Sequence, residues 1–158
     1  MDFIIIFCGK YLLYIMALAL ATYWFLSPRA AKVELAAAAV AALALAYGLA
    51  RVAGLFMQHD QPFAVFGYTP LIPHAIDNSF PSDHSALAGA LAGVASLYNK
   101  ALGILMWVLA VGVAAGRVLS GLHYPVDAVV GLIVGGISAA LAYYFVHLYF
   151  SARAHTEA

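Results

Sequence analysis

Apolar residues run along this chain in long blocks, and polar residues gather between them. A helix needs about 20 mostly apolar residues to cross the hydrocarbon of a bilayer, and five stretches approach that length. The first extends from about Phe3 to Leu26, interrupted by Lys10 and closed by Ser27-Pro28-Arg29. Its charge lies inside the apolar run and not ahead of it, so it reads as a span and not as a cleaved leader. The second runs from about Val33 to Gln58 and is rich in alanine, and the third begins at Ser82 and ends near Tyr98-Asn99-Lys100. The fourth covers about Ala101 to Leu119, where Ser120-Gly121 breaks it. The fifth starts at Pro125, a residue favoured at the first helical position, and continues to about Phe150. From Ser151 to Ala158 the chain is polar and is expected to fray. Small residues crowd Ala86–Gly93 and Gly131–Gly136, the pattern of membrane helices whose backbones approach closely. The expected fold is all-α: a polytopic membrane helix bundle of about five transmembrane helices, in a single domain of residues 1–158.

Composition agrees with that reading. Hydrophobic residues are 66% of the chain and charged residues only 9%, whereas soluble domains are about 45–50% apolar. Net charge is zero and no basic run occurs, so nothing points to nucleic acid as a partner. Cys8 is the one cysteine, which excludes an intramolecular disulfide and a thiolate metal cluster. It reads as packing. Five spans place the loop before Ser82 and the loop after Leu119 on one face, while Arg29, Lys32, Lys100 and Arg153 lie on the other. Lysine and arginine mark the cytoplasmic side, so the first face is expected to look outward, to the periplasm or cell exterior. The connection from about His59 to Phe80 is too polar and proline-broken to span. Its Phe63, Phe66, Tyr68, Leu71 and Ile72 suit the headgroup region, either as ordinary anchors or as a lip that admits a lipid headgroup.

The few polar residues at membrane depth carry the chemistry. Such groups are costly unless paired or functional, and here they form two clusters at helix ends. Pro81-Ser82-Asp83-His84 opens the third span, where free N–H groups and a partial positive charge suit an anion. Arg117 ends the fourth span, His123 follows six residues later, and Asp127 lies four beyond that. Arginine can grip a phosphate with two parallel hydrogen bonds. Asp127 sits one turn from His123, so it is expected to take the Nδ1 proton and leave Nε2 as a nucleophile.

The two clusters resemble the second and third motifs of the type 2 phosphatidic acid phosphatase (PAP2) superfamily, PSGH and SR-x5-H-x3-D. The likeness covers roughly His59 to Val134, and Asn78 to His84 is similar to the undecaprenyl-diphosphate phosphatase branch. It implies a lipid phosphate or diphosphate phosphatase in a bacterial cell membrane that needs no metal or other cofactor and works through a phosphohistidine. On that pattern His123 attacks phosphorus, Asp127 orients it and His84 protonates the leaving oxygen, while Arg117, Ser82 and the backbone of Asp83 hold the phosphoryl oxygens. The chain departs from it in three ways. Gly116 stands where the motif has serine, and Asp83 where it has glycine. The first motif, K-x6-RP, is reduced to Gln61-Pro62, with Gly54 at the lysine position and Gln61 at the arginine position. Arg51, one helical turn or roughly 4.5 Å deeper, is expected to reach up and replace the missing cations. Gln61 and His59 are further candidate donors to the phosphate, and a lysine restored at Gly54 is expected to recover part of the lost charge.

Other readings follow from single residues. His74 and Asp77 read as loop structure, and His147 and His155 as interface and tail. His84, His123, Asp83 and Asp127 are metal-ligand types, but Arg117 beside them would repel a cation. Beyond a polyprenyl diphosphate, the pattern also admits phosphatidylglycerophosphate, phosphatidate or lipid A as substrate, or a non-catalytic lipid binder or transporter. A nucleophile with an orienting carboxylate argues against the last.

Overall fold

The structure is a computed structural model; it describes residues 1–156, and the side chains of residues 154–156, that of His155 among them, and the whole of residues 157–158 lie outside the described part. Helix α1 spans Asp2–Leu26, with one wide turn at Phe7–Tyr11. Ser27 turns extended and Pro28 follows, which ends it. Helix α2 is Arg29–Phe56, and α3 is the short Pro62–Phe66, stopped by Gly67 at φ 69°. Helix α4 is Asp83–Tyr98, capped by the Ser82 hydroxyl, which accepts from Ser85 N–H. Helix α5 is Lys100–Leu119, capped in the same way by Asn99. Helix α6 is Pro125–Thr156. It continues six residues past Phe150, so the segment expected to fray from Ser151 is helical as far as Thr156.

Among the described residues four helices, α1, α2, α5 and α6, are long and apolar enough to cross a membrane. The expected third span is different. Helix α4 has 16 residues, and every residue from Ala88 to Ala95 is buried. It is a central rod walled by α2, α5 and α6, not a lipid-facing span. Helices in lipid gain little from hydrophobic transfer between them and associate by close packing of small residues. The α4–α6 contact is of that kind: a Cβ on Gly135 would overlap the Ala86 carbonyl, and one on Gly89 would overlap the Leu132 backbone. Leu18, Val40, Ile104, Val108 and Ile133 point outward and are exposed, as a lipid-facing surface requires. Cys8 is a free, half-buried thiol packed against the core.

Polar contacts fasten both ends of the bundle. At one end Trp24 Nε1 donates to the Lys32 carbonyl, and His147 Nδ1 lies 3.0 Å from Glu34 Oε1, tying α6 to α2. At the other end the 57–81 connection folds down over the turn between α5 and α6. Leu71 N–H donates to the Ser120 carbonyl at 3.0 Å, and Tyr68 Oη donates to Gly121, a residue with φ 82°. Phe63, Ile72 and Leu122 form a small second core beneath it. The connection is therefore a packed cover.

Gly116 has a packing reason. The wide turn of α1 presses backbone to backbone on α5, and a Cβ at position 116 would overlap Gly9 and the Cys8 carbonyl carbon. A serine does not fit there while α1 stays in place. Gly116→Ser, which restores the family motif, is therefore expected to destabilise the protein by about 1–3 kcal/mol, the usual cost of overpacking. A thermal melt in detergent checks it; an unchanged or raised midpoint would show that α1 yields freely.

Candidate active site

Helices α4, α5 and α6 bring their polar ends together under the 57–81 cover. A cavity of about 230 Å³ opens there, lined by His74, Asp77, Asp83, His84, Arg117 and His123 among others. Four of the candidate site residues, Asp83, His84, Arg117 and His123, thus line one cavity.

Arg117 is 3% exposed, and no carboxylate among the described residues pairs with it. Its Nε has no partner, and one terminal nitrogen lies 3.4 Å from His123 Nε2. An unpaired buried guanidinium is costly, and an anion in the cavity would relieve that cost.

The His123 ring is held from behind. Nδ1 lies 2.8 Å from the Ser79 carbonyl oxygen, which can only accept, so Nδ1 carries the proton. Nε2 is left with its lone pair toward Arg117. Ser79 Oγ, 3.2 Å from the same Nδ1, donates to Asp127 Oδ2 at 2.6 Å. Asp127 is fully buried and also accepts from Tyr124 N–H at 3.0 Å. The expected hydrogen bond from His123 to Asp127 is thus replaced by a relay through Ser79, a residue with no role in the sequence reading. Its only signal was a polar pair, Asn78-Ser79, just ahead of Phe80-Pro81.

The remaining candidates lie around this centre. Ser82 is buried and turned toward its own helix, accepting from Ser85, while its N–H donates to the Asp127 carbonyl. Gln61 is buried under the cover, where Oε1 accepts from Asp77 N–H and Nε2 has no partner. His59 faces the far side of Asp127, with Nδ1 3.3 Å from Oδ1, and stands edge-on to Phe80 and Tyr124. Neither Gln61 nor His59 lines the cavity. Arg51 meets Asp83 at 3.5 Å in an adjoining cavity.

A lysine at Gly54, expected to recover part of the lost charge, would have to displace the side-chain amide of Asn78. A Cβ there would come within 2.9 Å of Asn78 Nδ2 and 3.0 Å of the Phe80 carbonyl oxygen. Asn78 Nδ2 instead donates to the Gly54 and Met57 carbonyls, and its Oδ1 accepts from the His59 and Phe80 N–H groups. The side chain that seats the cover occupies the place of the missing one.

Residues 35–150 match the PAP2 superfamily. The chain is 37% identical over 143 residues to the Bacitracin transport permease protein BcrC of Bacillus licheniformis, covering 89% of this chain and 70% of that one. It is 31% identical over 155 residues to the Undecaprenyl-diphosphatase BcrC of Bacillus subtilis, covering 92% and 75%. The crystal structure of Aquifex aeolicus LpxE has the same fold, with a TM-score of 0.69 and 22% identity over 88% of this chain and 80% of that one.

Burial, and next the neighbouring Arg117 charge, push the His123 pKa down to about 4, against the opposing pull of the Ser79 carbonyl and Asp127. Desolvation and a nearby cation both disfavour imidazolium, so His123 stays neutral as pH falls through the usual histidine range. Ring-nitrogen shifts of labelled histidines should show His123 as the Nδ1–H tautomer down to about pH 4. Titration at or above about 6.5 would refute this reading.

Proposed function

The chain belongs to the PAP2 superfamily, and on that footing we propose that it hydrolyses undecaprenyl diphosphate to undecaprenyl phosphate through a phosphohistidine. The observation that carries this is the neutral, tautomer-fixed His123 facing a buried Arg117 that has no carboxylate partner. The name of the Bacillus subtilis relative supplies the substrate class. A transporter has no use for a nucleophile aimed at an anion site.

The terminal phosphate enters the cavity and its oxygens replace His123 on Arg117. His123 Nε2 attacks phosphorus as the bond to the bridging oxygen breaks. That electron pair leaves on the lipid phosphate, and His84 on the opposite helix end delivers a proton to it. Burial and the Arg117 charge push the His84 pKa down to about 4, and the charge of the incoming phosphate is what draws the proton onto the His84 ring. Nδ1 keeps its proton on the Ser79 carbonyl, and Asp127, through Ser79 Oγ, steadies the cationic ring. Water then displaces His123 from phosphorus and releases phosphate, with His84 taking the water's proton. Fixed donors aimed at the developing charge supply most of the stabilisation in such a transfer, and Arg117 does so without a metal ion.

Arg29, Lys32 and Lys100 lie at the end of the bundle opposite the site, as does Arg153. By the positive-inside rule this end faces the cytoplasm, and the site faces outward in the inner membrane. The substrate's lipid tail stays in the bilayer while its headgroup passes under the 57–81 cover.

Purified protein assayed on a panel of lipid diphosphates and monophosphates should release phosphate fastest from undecaprenyl diphosphate, equally with and without chelator. Activity restored only by Mg²⁺ or Zn²⁺ would sink the mechanism, and release from nothing would favour the lipid binder. Acid quench with labelled substrate should trap phosphate on the wild type and none on His123→Ala. His84→Ala should slow monophosphates more than diphosphates, because an alkoxide needs the proton more than a phosphate does. Arg117→Ala should lower kcat/KM by about 10²–10³, the range for a lost oxyanion donor.

A further inference from the structure

Beside the catalytic cavity lies a second one of about 310 Å³, lined by Arg51, Gln58, Asn78, Phe80, Pro81 and Asp83 among others. The two share Asn78, Pro81 and Asp83 as a partition. Tyr47, one helical turn before Arg51 on α2, borders the catalytic chamber, and Arg51 borders the neighbouring one. The pair of chambers thus has a cation for each, Arg117 in one and Arg51 in the other, with the Asp83 carboxylate between them.

The partition is built firmly where it meets the cover, since Asn78 uses its side-chain oxygen and amide in four hydrogen bonds. Arg51 is free to move by comparison: its side chain is 57% exposed and its contact with Asp83 is 3.5 Å long. That contact has an evident use in the empty protein. It neutralises a carboxylate that would otherwise repel phosphate from both chambers.

We propose that the Arg51 chamber is the subsite for the second, lipid-bearing phosphate of a diphosphate, whose oxygens Arg51 reaches while one of its terminal nitrogens keeps Asp83 paired. This rests on the phosphatase reading above and adds to it the reason a diphosphate is preferred over a monophosphate. When the bond between His123 Nε2 and the terminal phosphorus forms and the bridging bond breaks, the leaving charge gathers on the phosphate beside Arg51. A monophosphate places no anion in that chamber. Arg51 is therefore a specificity-determining residue for the leaving group, not a replacement for the missing first-motif cations on the transferred phosphate.

The test compares farnesyl diphosphate with farnesyl monophosphate, which share one tail, on wild type, Arg51→Ala and Arg51→Lys in detergent. The ratio of their kcat/KM values should fall about tenfold or more in Arg51→Ala, the scale of one charge-assisted hydrogen bond. Arg51→Lys should keep part of it. An unchanged ratio overturns the proposal, whether both substrates fall together, which would put Arg51 on the transferred phosphate, or neither falls, which would make it a helix-end anchor. Binding of methylenediphosphonate against methylphosphonate gives a readout without turnover. Arg51→Ala should lose diphosphonate affinity preferentially, and equal losses overturn the subsite. A wild type that cleaves neither lipid but binds diphosphonate through Arg51 would refute the phosphatase reading and leave the subsite standing. Melting curves of each variant separate these outcomes from misfolding.

Discussion

Asp127 has no exposed surface, and a carboxylate in that position must be surrounded by donors or lose its charge. Its three partners come from two parts of the chain: Ser79 and His59 from the cover, and Tyr124 N–H from the turn before α6. Ser82 N–H adds a fourth link, to the Asp127 backbone carbonyl. Satisfying this one group therefore requires the cover, the turn and the start of α4 to close on each other at once. The ring of His123 is set by that closure and not by any local preference of its own. Asp127 is therefore a structural demand of the fold as well as the anchor of the His123 ring.

The rest of the bundle works as a frame for this knot. Helix α4 brings His84 in its first turn, α5 brings Arg117 in its last, and α6 starts beside them. Because the α4–α6 contact is made by glycine and alanine backbones, it leaves few soft side chains through which the helix ends can shift. The freedom that a lipid headgroup needs for entry must therefore lie in the cover and in exposed groups such as Arg51.

Much of this was legible in the sequence, because apolar run length and polar residues at run ends are strong signals. The ends of α1, α2 and α5 and the start of α6 follow the hydropathy pattern to within a few residues, and His84, Arg117 and His123 meet as their positions at helix ends suggest. What was not legible depends on contacts between segments far apart in the chain. The burial of α4 was hidden because a 16-residue helix rich in alanine and glycine reads in sequence much like a lipid-facing span. The role of Ser79 was hidden because a serine's value lies in what it touches, here His123 and Asp127 more than forty residues away. Gly116 looked like a lost hydroxyl until its contact with Gly9 was visible.

Gly54 shows how such a site acquires a history. Whatever order the changes came in, the absence of a side chain at this position and the seating of Asn78 on the Gly54 carbonyl now depend on each other. A lysine at position 54 must displace the Asn78 amide, and a change at Asn78 removes four hydrogen bonds that help to hold the cover. A change at either position therefore reaches the other, and the charge facing a headgroup is most freely altered at the exposed residues around the second chamber, Arg51 among them.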